Sequence, residues 1–296
     1  MMAFLTTTPA YWEEAARAAV TALEAFSRAE TLDAKEKSTR PVERVLARAI
    51  RCAFTSQRKA FLTHLSLTGA IAPTTEANVQ RRMREAVARW DPAFDAAIAA
   101  TEDDFTEPMQ AALEAAMTAG GTWQTMGLGI ASDFNLSNPR ALAWISGRAA
   151  DQVANINETT RAALSKIITN GLSKGDSYGK IAAAIRQTYD GWEVGANPPI
   201  PSFIADRAEL IATTEVGQAY EAGSRSVVDD LAAEGLEMEK SFLCGGDNPC
   251  DECQDNEDAG WIPLDGDFPN DDAPVHPGCR CTNQYQRAET PDTGGD

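Results

Sequence analysis

Between Asp247 and Cys281 the chain reads DNPCDECQDNEDAGWIPLDGDFPNDDAPVHPGCRC. That stretch holds four of its six cysteines and one of its two histidines. Cys250 and Cys253 form a C-x-x-C, a spacing that turns two thiolates toward one tetrahedral ion, typically zinc. His276, Cys279 and Cys281 return as HPGCRC, so five candidate ligands compete for four places. If CRC is extended, Cys279 and Cys281 face the same side, and either or both can bind. The favoured set is Cys250, Cys253, His276 and Cys279, with Cys281 as the alternate for His276. A structural zinc site is the leading reading. One or two disulfides, formed outside a reducing cytosol, are the alternative, and free thiols the third. Cys244 reads as packing.

Other chemistries fit less well. A redox C-x-x-C is disfavoured, because the surrounding acids raise thiol pKa and lower reactivity. PCDEC matches half of the zinc deaminase signature, but the H-x-E half is missing: the upstream His64 is followed by Leu65 and Ser66, where a glutamate would be needed. No H-E-x-x-H is present. A catalytic zinc needs an open position and a nearby base. Asp251, Glu252, Asp255 and Glu257 could serve as the base, yet the surplus of sulfur and nitrogen ligands favours a closed site. Asp265, Asp267, Asp271 and Asp272 lack calcium-loop spacing and read as a solvated loop. GLGIAS, after Met126, lacks a preceding strand and a third glycine, so it is no nucleotide loop.

The elements that must position this cluster are mostly helical. Thr8 and Pro9 open a helix to about Arg28. Residues 29–40 read as a polar loop, and Pro41 restarts a helix with the stripe Val45, Leu46, Ala49, Cys52, Ala53, Ser56 and Ala60. Cys52 is therefore expected buried. Helices follow at about 75–100 and 106–119, the second ended by Gly120 and Gly121. Asn138 and Asn157 each read as the cap of a further helix, the latter stopped at Gly171 or Gly175. SYGKIAAAIRQTY is another helix, and GWEVGANPPIPS a connector. Residues 203–235 read as one long helix or a pair, closed at Gly235. Beyond it LEMEKSFLC and RCTNQYQR alternate like strands, and GWIPLDGDF suggests a short hairpin. The fold expected is mainly α: a helical bundle, then a small C-terminal α+β module of a few short antiparallel strands stapled by the Cys/His cluster.

Net charge is −18 and uneven: +5 over residues 1–90, −6 over 91–200 and −17 over 201–296. The last third should be repelled by nucleic acid and anionic membranes. Arg40, Arg44, Arg48 and Arg51 fall on one helix face. That face is either solvated and salt-bridged or a partner-binding surface for an acidic protein or DNA. No aromatics interleave there, which argues against sequence-specific nucleic-acid reading. No run is long and apolar enough to span a membrane. The N-terminal residues show no signal-peptide pattern, which points to synthesis in the cytoplasm.

AELIATTEVGQAYEAG, KSFLCGGDNPCDEC, GWIPLDGDF and PVHPGCRC, in that order and spacing, resemble the Mu F-like minor head protein family, head morphogenesis proteins of tailed bacteriophages. The resemblance covers roughly residues 140–287. It departs at one element: the family's A-R-T-E reads here as Ala212, Thr213, Thr214 and Glu215, without the arginine. Glu215 is assigned a structural role, capping or pinning the cysteine loop or lying on the solvated face. The resemblance implies a non-enzymatic virion component, in the capsid interior or at the portal vertex, made in the host bacterial cytoplasm. Portal protein, major capsid protein or scaffold are the implied partners, with packaged DNA as a further contact of the basic helix. The expected division is a helical N-terminal module over 1–130, a Mu F-like domain over 138–287 and a disordered tail over 288–296. That tail leaves no room for the fused toxin some relatives carry. The rival readings are a zinc-dependent hydrolase or deaminase-like effector and a DNA packaging or ejection factor. A stapling role for the cluster predicts that Cys250→Ser destabilises the C-terminal module. An unchanged melting profile would contradict it.

Overall fold

Large apolar side chains at spacings of three and four, supplemented by polar ones that find buried partners, give the chain long helices. In the computed structural model the described residues are 28–67, 79–130, 134–136, 139–174, 176, 178–190, 205–245 and 249–288. They form α1 (Arg28–Leu67), α2 (Val79–Gly127), α3 (Pro139–Ser173), α4 (Tyr178–Asp190) and α5 (Ala205–Ala233). The C-terminal part adds β1 (Met238–Leu243), α6 (Asp251–Asp258), β2 (Ile262–Pro263) and β3 (Thr282–Arg287). The mainly helical architecture with a small antiparallel sheet and a Cys/His cluster is the one the sequence predicts. The helix predicted from Thr8, the 191–202 connector and the tail from Glu289 lie outside the described residues.

Several predicted breaks are absent. Residues 29–40 are helical, and α1 runs through Pro41. Its buried face there is polar, with Thr31, Lys35, Thr39 and Glu43 at intervals of four. A hydrophobic pattern cannot reveal such a face. Ion pairs Lys37–Asp33 and Arg40–Glu36, both i,i+4, line the exposed side. Farther along, the buried face is Leu46, Ile50, Phe54, Gln57, Phe61 and Leu65. Cys52 is exposed and Val45 is 70% exposed, so the true stripe is rotated from the expected one. Of the expected stripe, Leu46 and Ala53 are buried, and Ala49, Ser56 and Ala60 are half-buried.

Likewise α2 continues through Gly120 and Gly121, and these glycines serve helix contact instead of termination. A Cβ at Gly120 would lie 1.9 Å from the Tyr220 carbonyl oxygen, and one at Gly223 would lie 2.1 Å from that of Met117. The α2 and α5 backbones touch, and Ser224 Oγ donates to the Gly120 carbonyl at 3.1 Å. Asn157 caps nothing: it sits inside α3, buried, and its Oδ1 accepts from Gln57 Nε2 at 2.8 Å. One long helix spans 205–233, and Gly235 (φ 92°) closes it. The Leu236 N–H reaches the Leu231 carbonyl and the Gly235 N–H that of Ala232, the bond pair of a Schellman ending.

The described residues fall into two compact units. One draws on 44–111 and 144–212. Its core holds edge-to-face pairs Phe54–Phe105 and Phe61–Phe94, with ring centroids 5.2 and 5.5 Å apart. Arg161 lies over Phe94 and pairs with Asp91 and Asp95. Arg207 lies over Phe54 and donates to Thr159 Oγ1 at 2.6 Å.

The described residues of the other unit lie within 28–43, 112–143 and 213–288. Its sheet has the order β2-β1-β3, antiparallel throughout, with Lys240 opposite both Ile262 and Tyr285. One apolar cluster joins Leu128, Val227, Val228, Leu231, Met238, Leu264 and Tyr285. Beside it lies a buried ion pair: Lys35 Nζ meets Glu221 Oε1 at 2.7 Å, each side chain 6% exposed. Lys35 also donates to the Cys281 carbonyl at 2.5 Å and lies over the Tyr220 ring. Glu221 further accepts from Thr282 Oγ1 at 2.6 Å and from the Asn283 N–H at 3.1 Å. Removing one member of such a pair strands the other charge. Glu221→Gln should therefore cost about 3–5 kcal/mol in denaturant melts. Lys35→Met with Glu221→Gln, which removes both charges and keeps an acceptor for Thr282 and Asn283, should recover part of that loss, and a double variant as unstable as the single one would refute this account.

Candidate metal centre

The cluster is assembled from three local structures. Cys250 stands at the N-cap position of α6 and Cys253 on its first turn, so a single short helix presents both ends of the C-x-x-C. His276–Cys279 is a tight turn closed by the Cys279 N–H to the His276 carbonyl at 3.0 Å. Pro277 and Gly278 occupy its centre, and the φ of 77° at Gly278 is what the third position of a type II turn demands. Cys281 directly precedes β3. Gly245, just past β1, lets the two strands close on the loop, since a Cβ there would lie 2.2 Å from the Arg280 carbonyl oxygen.

These pieces bring all five predicted donors around Cys253. Cys250, Cys253 and His276 place ligand atoms within 4.8 Å of one another, and so do Cys253, Cys279 and Cys281. Cys253, Cys279 and Cys281 are buried, His276 is half-buried and Cys250 is exposed. Cys253 Sγ lies 3.7 Å from Cys279 Sγ and 3.5 Å from His276 Nε2. A zinc tetrahedron with bonds of about 2.3 Å to sulfur and about 2.05 Å to nitrogen has edges of about 3.8 and 3.6 Å. The donor set fits such an ion. His276 Nδ1 lies 3.1 Å from the Pro277 carbonyl, which can only accept. That partner assigns the proton to Nδ1 and leaves the Nε2 lone pair toward Cys253.

The thiols polarise one another. Burial pushes the Cys253 thiol up to about 12. Hydrogen bonding from the Cys281 thiol draws Cys279 down to about 5. Cys281 itself is raised, first by that same bond to Cys279 and then by burial. One thiolate among neighbouring thiols is the charge pattern that a cation would complete.

An outer shell of hydrogen bonds fixes the donors. The Cys244 thiol donates to the Cys253 carbonyl at 3.2 Å, and the Cys244 N–H to Glu257 Oε1 at 3.1 Å. The Gly245 N–H points at Cys281 Sγ at 3.4 Å. Asn256, fully buried, donates to the Asp271 carbonyl at 2.7 Å and accepts from the Asn270 N–H at 2.8 Å. Asp272, expected as mere loop solvation, pairs with the buried Lys240 at 2.8 Å. The Thr214 hydroxyl accepts from the Gly278 N–H at 2.9 Å, and Thr213 Oγ1 from Arg280 at 3.2 Å. Glu215, the neighbour singled out from the sequence, is buried. Among the residues sequence reasoning missed, Asn256, Asp272, Lys240 and Glu221 carried no pattern that separates them from ordinary surface polar residues.

The four arginines assigned to partner binding are dispersed in role. Arg40 is exposed and pairs with Glu36 at 2.7 Å. Arg44 and Arg48 are exposed. Arg51 is half-buried and pairs with Glu209 at 2.7 Å. His64 is half-buried in the last turn of α1. No helix among the described residues is long and apolar enough to cross a membrane.

Long helices, a three-stranded antiparallel sheet and a Cys/His cluster able to hold a metal ion define a mainly helical protein with a small C-terminal α+β module. Residues 162–284 match the family model described as phage Mu protein F like protein. The matched segment contains all five candidate ligands. No curated protein matches the chain, and no solved structure does.

Because Cys253 belongs to both donor triads, Cys253→Ser should abolish metal uptake, whereas Cys250→Ser should retain part of it. Elemental analysis of the purified folded variants checks this. Equal metal content in both would contradict the central place of Cys253.

Proposed function

We propose that the chain is a structural minor head protein of a tailed bacteriophage or phage-derived particle, acting in head morphogenesis at the portal vertex or the inner capsid surface. The observation that carries this reading is the Mu F-like match over 162–284, which takes in the cysteine cluster and the α5 segment that braces it. The partners in this reading are portal protein, scaffold or major capsid protein. Arg40, Arg44, Arg48 and Arg51 on α1 are the proposed contact for an acidic partner or for packaged DNA.

The cluster serves this function as a staple. Four of the five donors would hold a zinc ion, whose contribution is a cross-link between α6 and the loop before β3. The surplus of ligands favours a closed coordination sphere over one that leaves a place for substrate.

Quantitative mass spectrometry of purified particles, with portal and major capsid proteins as references, tests the assignment. A few copies per particle is the expected result. A chain made in the infected or induced cell but absent from heads and their precursors would overturn it.

A further inference from the structure

The loop that delivers His276, Cys279 and Cys281 to the cluster also grips two helices of its own unit. Arg280, between the two cysteines, donates from Nη1 to both carboxylate oxygens of Glu43 at 2.7 and 2.8 Å. The Glu43 side chain is 9% exposed, so this pair is shielded from water on the acid's side. Lys35, two turns earlier in α1, holds the Cys281 carbonyl at 2.5 Å. On α5, Thr214 holds the Gly278 N–H. Three consecutive residues, Cys279 to Cys281, thus alternate ligand, anchor and ligand. Gly245 presses on the back of the Arg280 peptide and leaves the loop little room to move one function without the other.

We propose that metal binding at the cysteine cluster is energetically coupled to docking of residues 31–43 of α1, with Glu43 and Lys35 as positioning residues for the ligand loop. This rests on the reading of the cluster as a metal site. Neither residue is a ligand, yet each fixes a backbone or side-chain group next to one. Coupling of this kind is reciprocal. An ion that orders the loop strengthens the docking of α1, and a docked α1 pre-organises the thiols. Groups that orient ligands from outside the coordination sphere typically change metal affinity by about 10–100-fold. A Glu43–Arg280 pair that merely packs would alter stability and leave the affinity of the folded chain unchanged.

The test uses the full chain and zinc competition titrations with a chromophoric chelator. Glu43→Gln should bind zinc at least about tenfold more weakly. The control Asp33→Asn, which breaks an exposed pair with Lys37 on the same helix, should bind like wild type. Independently, chelation of the wild-type chain should raise amide hydrogen exchange across residues 31–43. Wild-type affinity in Glu43→Gln overturns the coupling, as does unchanged exchange in that segment after chelation. A wild-type chain that takes up no zinc sinks the metal reading itself, and the coupling with it. If Glu43→Gln fails to fold, the exchange measurement on the wild-type chain decides.

Discussion

A single buried carboxylate, that of Glu221, holds the C-terminal unit in register. It sits on α5 and takes hydrogen bonds from Lys35 on α1, from the Thr282 hydroxyl and from the Asn283 N–H at the start of β3. A lone charge in such a place would be costly. Three hydrogen bonds, one from a cation, make it tolerable and at the same time demanding, because each donor must be where it is. Lys35 is constrained in turn by the Cys281 carbonyl and the Tyr220 ring. Two helices, a strand and the last cysteine therefore meet around one charge pair, and the position of β3 follows from it.

The segment between β1 and β3 shows the same preference for directional bonds over apolar bulk. Its buried apolar cluster is small, built on Phe242, Phe268, Ala273 and four cysteines, with Ile262 and Val275 packed alongside. Asn256 ties α6 to the 270–271 turn. Lys240 lies under the Phe268 ring and joins β1 to Asp272. Directional bonds confer one geometry where a thin core would permit several. A metal cross-link belongs to the same strategy, since its bonds fix angles as well as distances.

Much of this was legible in the residues. C-x-x-C followed by HPGCRC points to the five donors that the structure brings together, while leaving open which four of them would bind one ion. Strands form at 238–243 and 282–287 where they are expected, although β1 is buried at five of its six positions and does not alternate. Failures came where polar residues do structural work. The Thr31–Lys35–Thr39–Glu43 face reads as loop because its partners, Glu221 and Arg280, lie far along the sequence. Gly120 reads as a helix stop because the neighbour it touches, Tyr220, is a hundred residues away. Asn157 reads as a cap because asparagine inside a helix is uncommon unless a buried amide such as Gln57 awaits it. Each miss is a long-range contact made by a residue whose local meaning is different.

The Lys35 to Cys281 bond joins residues 246 positions apart, and this separation bears on the order in which the protein can fold as it is made. Domains tend to fold as units during synthesis, from the N-terminal side onward. The unit drawn from 44–111 and 144–212 has all its parts once Ala212 has been added. The other unit opens its list of parts first and completes it last, because the partners of Lys35 and Glu43 are not available until Glu221, Arg280 and Cys281 have left the ribosome. Through most of translation the beginning of α1 waits with a polar face exposed. Its polarity, so awkward to bury, keeps that waiting segment compatible with water until the end of the chain arrives.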